Sequence, residues 1–396
     1  MITATQKRLI AFSVVVIVAI HISLFFAMQR YQARKPDFAS LYQAGRALIH
    51  ERFPAMVNRF PALNGEEYIV QTPSGPFPPD TMHPPYELAI YASLALMKFR
   101  VAYPVWWGCN LVLLFLTTFL LWRHVPGLQS RYPYLLILIA TFFPVLVALA
   151  QGQNSVLLLF LLTLTFDLLA RERHFGAGLV LSMGMFKFVL VIPIFLWLVL
   201  EKRWRSLAGF VIGCASLLLL AVWLVGFRGL EAYVRLVAGY GRTAPEKAGT
   251  ESIMPNLRGM VHAVGAGIAP ETLLVAITLI LSLTLLIWVD FRRTKQTSLS
   301  MRFSMQVLLA ALISYHLYPH DAAVLVLPWL LFLNYSLGEG SRRFASRTTV
   351  ATLVLYLVPF VAPLQVSMPL IGLASVVLLV LMHRAPVAKP ILVMSS

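Results

Sequence analysis

Residues 84–97 read PPYELAIYASLALM, and whether this run crosses a membrane decides the topology of everything after it. At about 14 residues it is too short for an ordinary helical span, which needs ~20 apolar residues to bridge the hydrocarbon. If it crossed, the clusters Arg171-Glu172-Arg173-His174 and Glu201-Lys202-Arg203-Trp204-Arg205 would lie outside, against the tendency of basic loops to stay on the inner side. Treated as re-entrant or interfacial, it leaves every basic cluster inside: Lys7/Arg8, Arg123/Arg131, Arg171/Arg173, Lys202/Arg203/Arg205, Arg292/Arg293/Lys295, Arg342/Arg343/Arg347 and Arg384/Lys389. The second topology is adopted.

Working outward from that stretch, apolar runs of spanning length fall at about 9–28, 101–122, 133–149, 155–170, 175–186, 189–200, 206–225, 271–289, 303–318, 322–337, 348–364 and 368–382. They predict an all-α polytopic membrane protein with about twelve transmembrane helices plus the re-entrant or interfacial segment, both termini cytoplasmic. Several runs are short, which suits a bundle with a cavity opening outward. The chain forms one integral membrane domain over 1–396, with a first external loop and juxtamembrane helices at 29–100 and a second large external loop at 226–270.

The composition agrees, with 59% apolar residues and a mean hydropathy of +0.79. The formal net charge of +16 is dispersed in short clusters between apolar runs, which is loop charge and not a nucleic-acid stripe. The run from Leu9 to Met28 follows Lys7 and Arg8 as a secretory leader would, but it is long and lacks a small-x-small cleavage site, so it reads as a retained helix. Cys109 and Cys214 each sit inside an apolar run with no ligand spacing and read as packing residues.

Ionisable groups in or against apolar spans cost at least ~2.5 kcal/mol unless they face a cavity or a partner, so they mark function by default. Asp37 follows Pro36 and precedes a helical pattern, which predicts a helix N-cap; it is also placed to act as a general base, although a helix end favours the ionised form. His83 stands before Pro84 and Pro85, either solvated or hydrogen-bonded to a sugar or phosphate. The turn Gln151-Gly152-Gln153-Asn154 carries only amides, suited to hydroxyl recognition or to gluing helices. Lys187 lies between two very short spans, where an anionic partner would offset its desolvation; the alternative is snorkelling to the interface. Arg258, in Met254-Pro255-Asn256-Leu257-Arg258-Gly259, has the planar fork for a bidentate phosphate contact. Tyr315-His316-Leu317-Tyr318-Pro319-His320-Asp321 hints at metal ligation, but Pro319 breaks the helix that would align the histidines, and hydrogen bonding to substrate or to Asp37 is favoured.

With these residues in place the chain resembles glycosyltransferase family 87, over about residues 1–340. The resemblance rests on Asp37-Phe38-Ala39-x-x-Tyr42-x-Ala44-Gly45-Arg46, His83-Pro84-Pro85-Tyr86, Gly152-Gln153-Asn154-Ser155, Phe186-Lys187, Met254 to Gly259 and His320-Asp321. It implies a GT-C fold, similar to the mycobacterial phosphatidylinositol-mannoside mannosyltransferases, using a polyprenyl-phosphate sugar donor, a mannose by that resemblance, and a lipid or glycan acceptor. It also implies no cofactor, no nucleotide-sugar domain and usually no essential metal. By position Asp37 would be the catalytic base. Lys187 and Arg258 would bind the donor phosphate, and His83, Gln153, Asn154, Asn256, His316, His320 and Asp321 would contact substrate. The site would face outward from the cytoplasmic membrane. The rival from another class is a secondary transporter or lipid flippase, which would carry polar groups reachable from both sides; no inverted repeat is visible.

Overall fold

The computed structural model describes residues 37–53, 83–126, 132–243, 250–291, 298–339 and 342–384, with isolated positions at 19, 23 and 55. The expected first span at 9–28 lies almost wholly outside the described residues, as does much of the first external loop. Among the described residues there is helix and no strand. In chain order the helices are α1 (Asp37–Arg52), α2 (Pro85–Ala95), α3 (Phe99–Trp122), α4 (Tyr132–Ala140), α5 (Phe143–Gln151), α6 (Ser155–Ala170), α7 (His174–Met183) and α8 (Phe188–Leu200). They continue with α9 (Trp204–Thr243), α10 (Leu257–Gly265), α11 (Glu271–Phe291), α12 (Leu299–Ile313), α13 (Val326–Glu339), α14 (Arg342–Val361) and α15 (Leu364–His383).

Five helical stretches among the described residues are long and apolar enough to cross a membrane by length and composition: Phe99–Trp122, His174–Leu200, Trp204–Ala238, Glu271–Val289 and Leu364–His383. Their outer surfaces are apolar where a soluble protein would be polar. On α11, Leu279, Ile280, Leu283 and Ile287 are each more than half exposed, a hydrocarbon face at helical spacing of the kind that lipid covers.

The stretch His174–Leu200 folds back on itself. A straight helix of that length would hold Phe175 and Leu200 about 38 Å apart. Yet Gly209 packs against the Phe175 carbonyl, and the chain from Leu200 to Gly209 reaches at most ~32 Å even when fully extended. The reversal occurs in the 3-10 turn Gly184–Lys187, where Lys187 leaves helical geometry (φ −117, ψ 57). Two short runs, as their separate lengths predict, therefore form a helical hairpin with Lys187 at its tip. Glycines let α7 lie close to α9: Gly178 meets the Ser206 carbonyl and Gly213 the Ser182 side chain, with no room for a Cβ.

Polar clusters mark both ends of the bundle. At one end Asp167, buried at the close of α6, accepts from Arg171 (Nε 2.8 Å) and pairs with His124 (2.8 Å) after α3. There too Glu201 after α8 accepts from Arg203 (2.9 Å), Trp197 (3.0 Å) and Arg302 (2.6 Å) near the start of α12. At the other end lie the start of α6, the tip of the α7–α8 hairpin and the close of α12. Helix α6 separates the two ends by about 24 Å.

Helix α2 begins and ends at this second end. Pro84 and Pro85 set its start, with Pro85 at a first-turn position where no amide is needed. Its C-terminal side is tied by the Tyr42 hydroxyl, which donates to the Met97 carbonyl (2.7 Å). The chain then enters α3, whose first turns donate from Tyr103 to Ala150 O (2.8 Å) and from Trp106 to Gly152 O (2.8 Å). Helices α1 and α2 touch backbone to backbone at Gly45 and Tyr91. Leu48, Leu88, Leu224 and Val225 join them to α9, which kinks just beyond at Gly226 (φ 71, ψ 173).

Two expected boundaries are corrected. The expected run 303–318 stops at Ile313, because Ser314 turns extended (φ −57, ψ 132) and 314–320 is non-helical. The expected run 322–337 opens with a 3-10 turn at Asp321–Leu325 before α13.

Candidate active site

The turn 151–155 organises the polar end. Helix α5 closes on Gly152 in left-handed geometry (φ 67, ψ 29), with its amide and that of Gln153 bonded back to Ala148 and Leu149 carbonyls. Glycine is required there, since a Cβ would lie 2.7 Å from the Phe38 Cβ.

From this turn contacts run to two carboxylates. Ser155, the first residue of α6, donates to Asp321 Oδ1 (2.9 Å), and the Lys187 ammonium meets the same oxygen at 2.9 Å. The Tyr318 amide donates to Asp321 Oδ2 (3.3 Å). The buried His320 ring is bracketed by the Gln151 amide at Nδ1 (2.7 Å) and by Asp321 at Nε2 (3.5 Å). On the other side the Asn154 amide donates to Glu87, whose second oxygen is hydrogen-bonded to His83 Nδ1 (2.9 Å). Asp37, the first residue of α1, and His83 both act on His320 through space.

A third group lies beside Asp321. Arg258, on α10, stacks over the Tyr315 ring (4.1 Å) and donates to Glu251 (3.3 Å). Asn256 caps α10 by accepting from the Gly259 amide (2.8 Å) and donates to the Ser314 carbonyl (2.8 Å), so both ends of its amide are engaged within the protein. His316 lies in the field of Arg258, Asp321 and Glu251; burial, and secondarily Arg258, hold its ring below the ordinary imidazole range.

All ten expected residues thus fall at one end of the bundle. Lys187, His320 and Asp321 are in direct contact, and Asn154 and His83 meet through Glu87. Asp37 is within electrostatic reach of His320, whereas Arg258 and Asn256 reach the cluster by way of residues 314–316. Two acceptors in the turn, Gln153 Oε1 and Asn154 Oδ1, are buried with no hydrogen-bond partner among the described residues. Such atoms carry a cost of ~1–3 kcal/mol each that a bound hydroxyl would relieve.

Glu87 and Glu251 were not among the expected site residues. The His83–Glu87 spacing of four across a helix start was the available signal for the first. An acid in a first helical turn reads equally well as a partner of the helix dipole.

A chain whose described residues form helices with apolar outer faces and a polar, charged cluster at one end is an integral membrane protein with a candidate site at a bundle end. The profile of glycosyltransferase family 87 matches residues 82–328, well over half of the chain. The chain belongs to that family and is a membrane glycosyltransferase. Every site residue described above lies within the matched segment except Asp37, which precedes it. No curated protein and no solved structure matches the chain.

Proposed function

We propose that the chain is a GT-C-type enzyme transferring a hexose, mannose by resemblance, from a polyprenyl-phosphate carrier to a lipid or glycan acceptor, with inversion at the anomeric carbon. The reaction takes place on the outer face of the cytoplasmic membrane. The observation that carries this reading is the gathering of Lys187, Asp321, His320 and the amide turn at one bundle end, with Asp37 within electrostatic reach. Gathering at one end suits transfer at a membrane surface better than alternating access.

The donor phosphate meets Lys187, whose ammonium has three protons and so binds an anion while still holding Asp321. Arg258 adds a guanidinium on the same side, held over the Tyr315 ring. Together they stabilise the negative charge that grows on the departing phosphate. A phosphate leaves without a strong acid, so one carboxylate suffices where glycosidases need two. Asp37 takes the proton from the acceptor hydroxyl as its oxygen attacks the anomeric carbon and the sugar–phosphate bond breaks. His316 and His320 orient substrates, Gln153 and Asn154 accept from sugar hydroxyls, and Asn256 holds the frame around Arg258.

The test is incubation of purified protein with radiolabelled polyprenyl-phosphate mannose and source membrane lipids, beside Asp37→Asn. Label moving to a new lipid with the native protein alone supports the reading. Near-normal transfer by Asp37→Asn removes Asp37 as the base. No transfer to any fraction, with glucosyl and arabinosyl donors also tried, points to transport.

A further inference from the structure

Glu87 has no part in the mechanism above, yet it is 2% exposed. Burying a carboxylate is costly unless its oxygens are satisfied, and both of these are used: Oε2 lies 2.9 Å from His83 Nδ1, and Oε1 accepts from the Asn154 amide nitrogen. We infer that Glu87 is a positioning residue that sets the hydrogen-bond polarity of the hydroxyl-binding face. An ionised carboxylate only accepts, so it compels each neighbour to turn a donor toward it. Asn154 must present its nitrogen, which leaves Oδ1 as an acceptor on the opposite side of the amide. His83 must carry its proton on Nδ1, which in the neutral ring makes Nε2 the acceptor. Asn154 Oδ1 and Gln153 Oε1, both without a partner among the described residues, make this face one of acceptors. Its complement is a group rich in O–H donors, such as a sugar or other polyol, and a carboxylate or phosphate is disfavoured there.

The titratable groups around this pair are Tyr86 and Tyr91 on α2, Tyr233 on α9, and His320, on which Asp37 also acts. The inference rests on the transferase reading for the identity of the ligand, but not for the polarity itself.

Glu87→Gln is the discriminating variant. It keeps an oxygen for Asn154 and nearly the same volume, but its NH2 faces His83 and drives the ring proton to Nε2. The first measurement is the His83 tautomer by 15N NMR of histidine-labelled protein, its signal identified by loss in His83→Asn. Nδ1–H in the native protein and Nε2–H in Glu87→Gln are expected. Nε2–H in the native protein overturns the inference, whether or not activity is found. The second is kinetic: Glu87→Gln should lower transfer at least tenfold. Glu87→Asp should restore the rate. Native-like rates in Glu87→Gln, with only thermal stability reduced, would make Glu87 a mere tie between α2 and the turn. An inactive native protein that shows the expected tautomers would instead defeat the transferase reading and leave the polarity standing.

Discussion

The Lys187 ammonium and the Asp321 carboxylate lie 2.9 Å apart, joining the tip of the α7–α8 hairpin to the turn before α13. Both side chains are largely withdrawn from solvent, so each depends on the other for compensation. Removing one partner of such a pair costs about 3 kcal/mol or more. Asp321→Asn and Lys187→Met should each lower the thermal midpoint in detergent, and the double variant should lose clearly less than their sum. Additive losses would show that the pair is not coupled. Donor affinity should fall in Lys187→Met, measured by binding of a non-transferable analogue.

Arg258 places its guanidinium over the Tyr315 ring while donating to Glu251, two contacts at once that the point charge of a lysine does not combine in the same geometry. Arg258→Lys should keep the fold and raise the donor KM about tenfold, roughly 1.4 kcal/mol. An unchanged KM would move the phosphate site away from α10.

At the opposite end, Asp167 is held by Arg171 and His124 about 18 Å from Ser155 along α6. Asp167→Ala leaves Arg171 and His124 without their shared acceptor and should cost ~1–3 kcal/mol of stability. The KM values of the protein that remains folded should not change; a large KM effect would show that the two ends communicate.

Gly152→Ala meets two obstacles, a left-handed backbone and the Phe38 Cβ at 2.7 Å. The backbone alone costs ~1–2 kcal/mol. Reduced stability accompanied by reduced transfer is expected, because the turn carries Gln151, Asn154 and Ser155 with it. Native transfer would show that the turn accommodates the methyl without moving its contacts.

Burial favours the neutral ring of His316, so its folded-state pKa lies below the unfolded value near ~6.5. The associated stability is present above that value and is lost as pH falls through the lower folded one. The thermal midpoint of the native protein should therefore drop more between pH 7.5 and pH 5 than that of His316→Gln. Parallel curves would remove His316 from the acid sensitivity.

Much of this arrangement was legible in the sequence because membrane-embedded charge is expensive. Lys187 stood out between two runs each too short to span in comfort, and the hairpin reversal falls there. Its partner was hidden because Asp321 is far along the chain and neighbours histidines that suggested other chemistry. The α12 boundary was overrun because Tyr315 and Leu317 keep the local pattern apolar after the backbone has already turned extended at Ser314. Asn256 was expected at the substrate through the family resemblance; its two engagements, a cap at Gly259 and a tether to Ser314, depend on tertiary packing that no local pattern reveals.

Connecting segments ordinarily tolerate added or lost residues because little depends on their register. The turn between α5 and α6 is an exception. Gln151 and Ser155 touch His320 and Asp321 before α13, Asn154 touches Glu87 on α2, and the carbonyls of Ala150 and Gly152 are held by a third segment, the start of α3. A single inserted residue would put all of these out of step at once, so this stretch should be the least forgiving place in the bundle for a change in chain length.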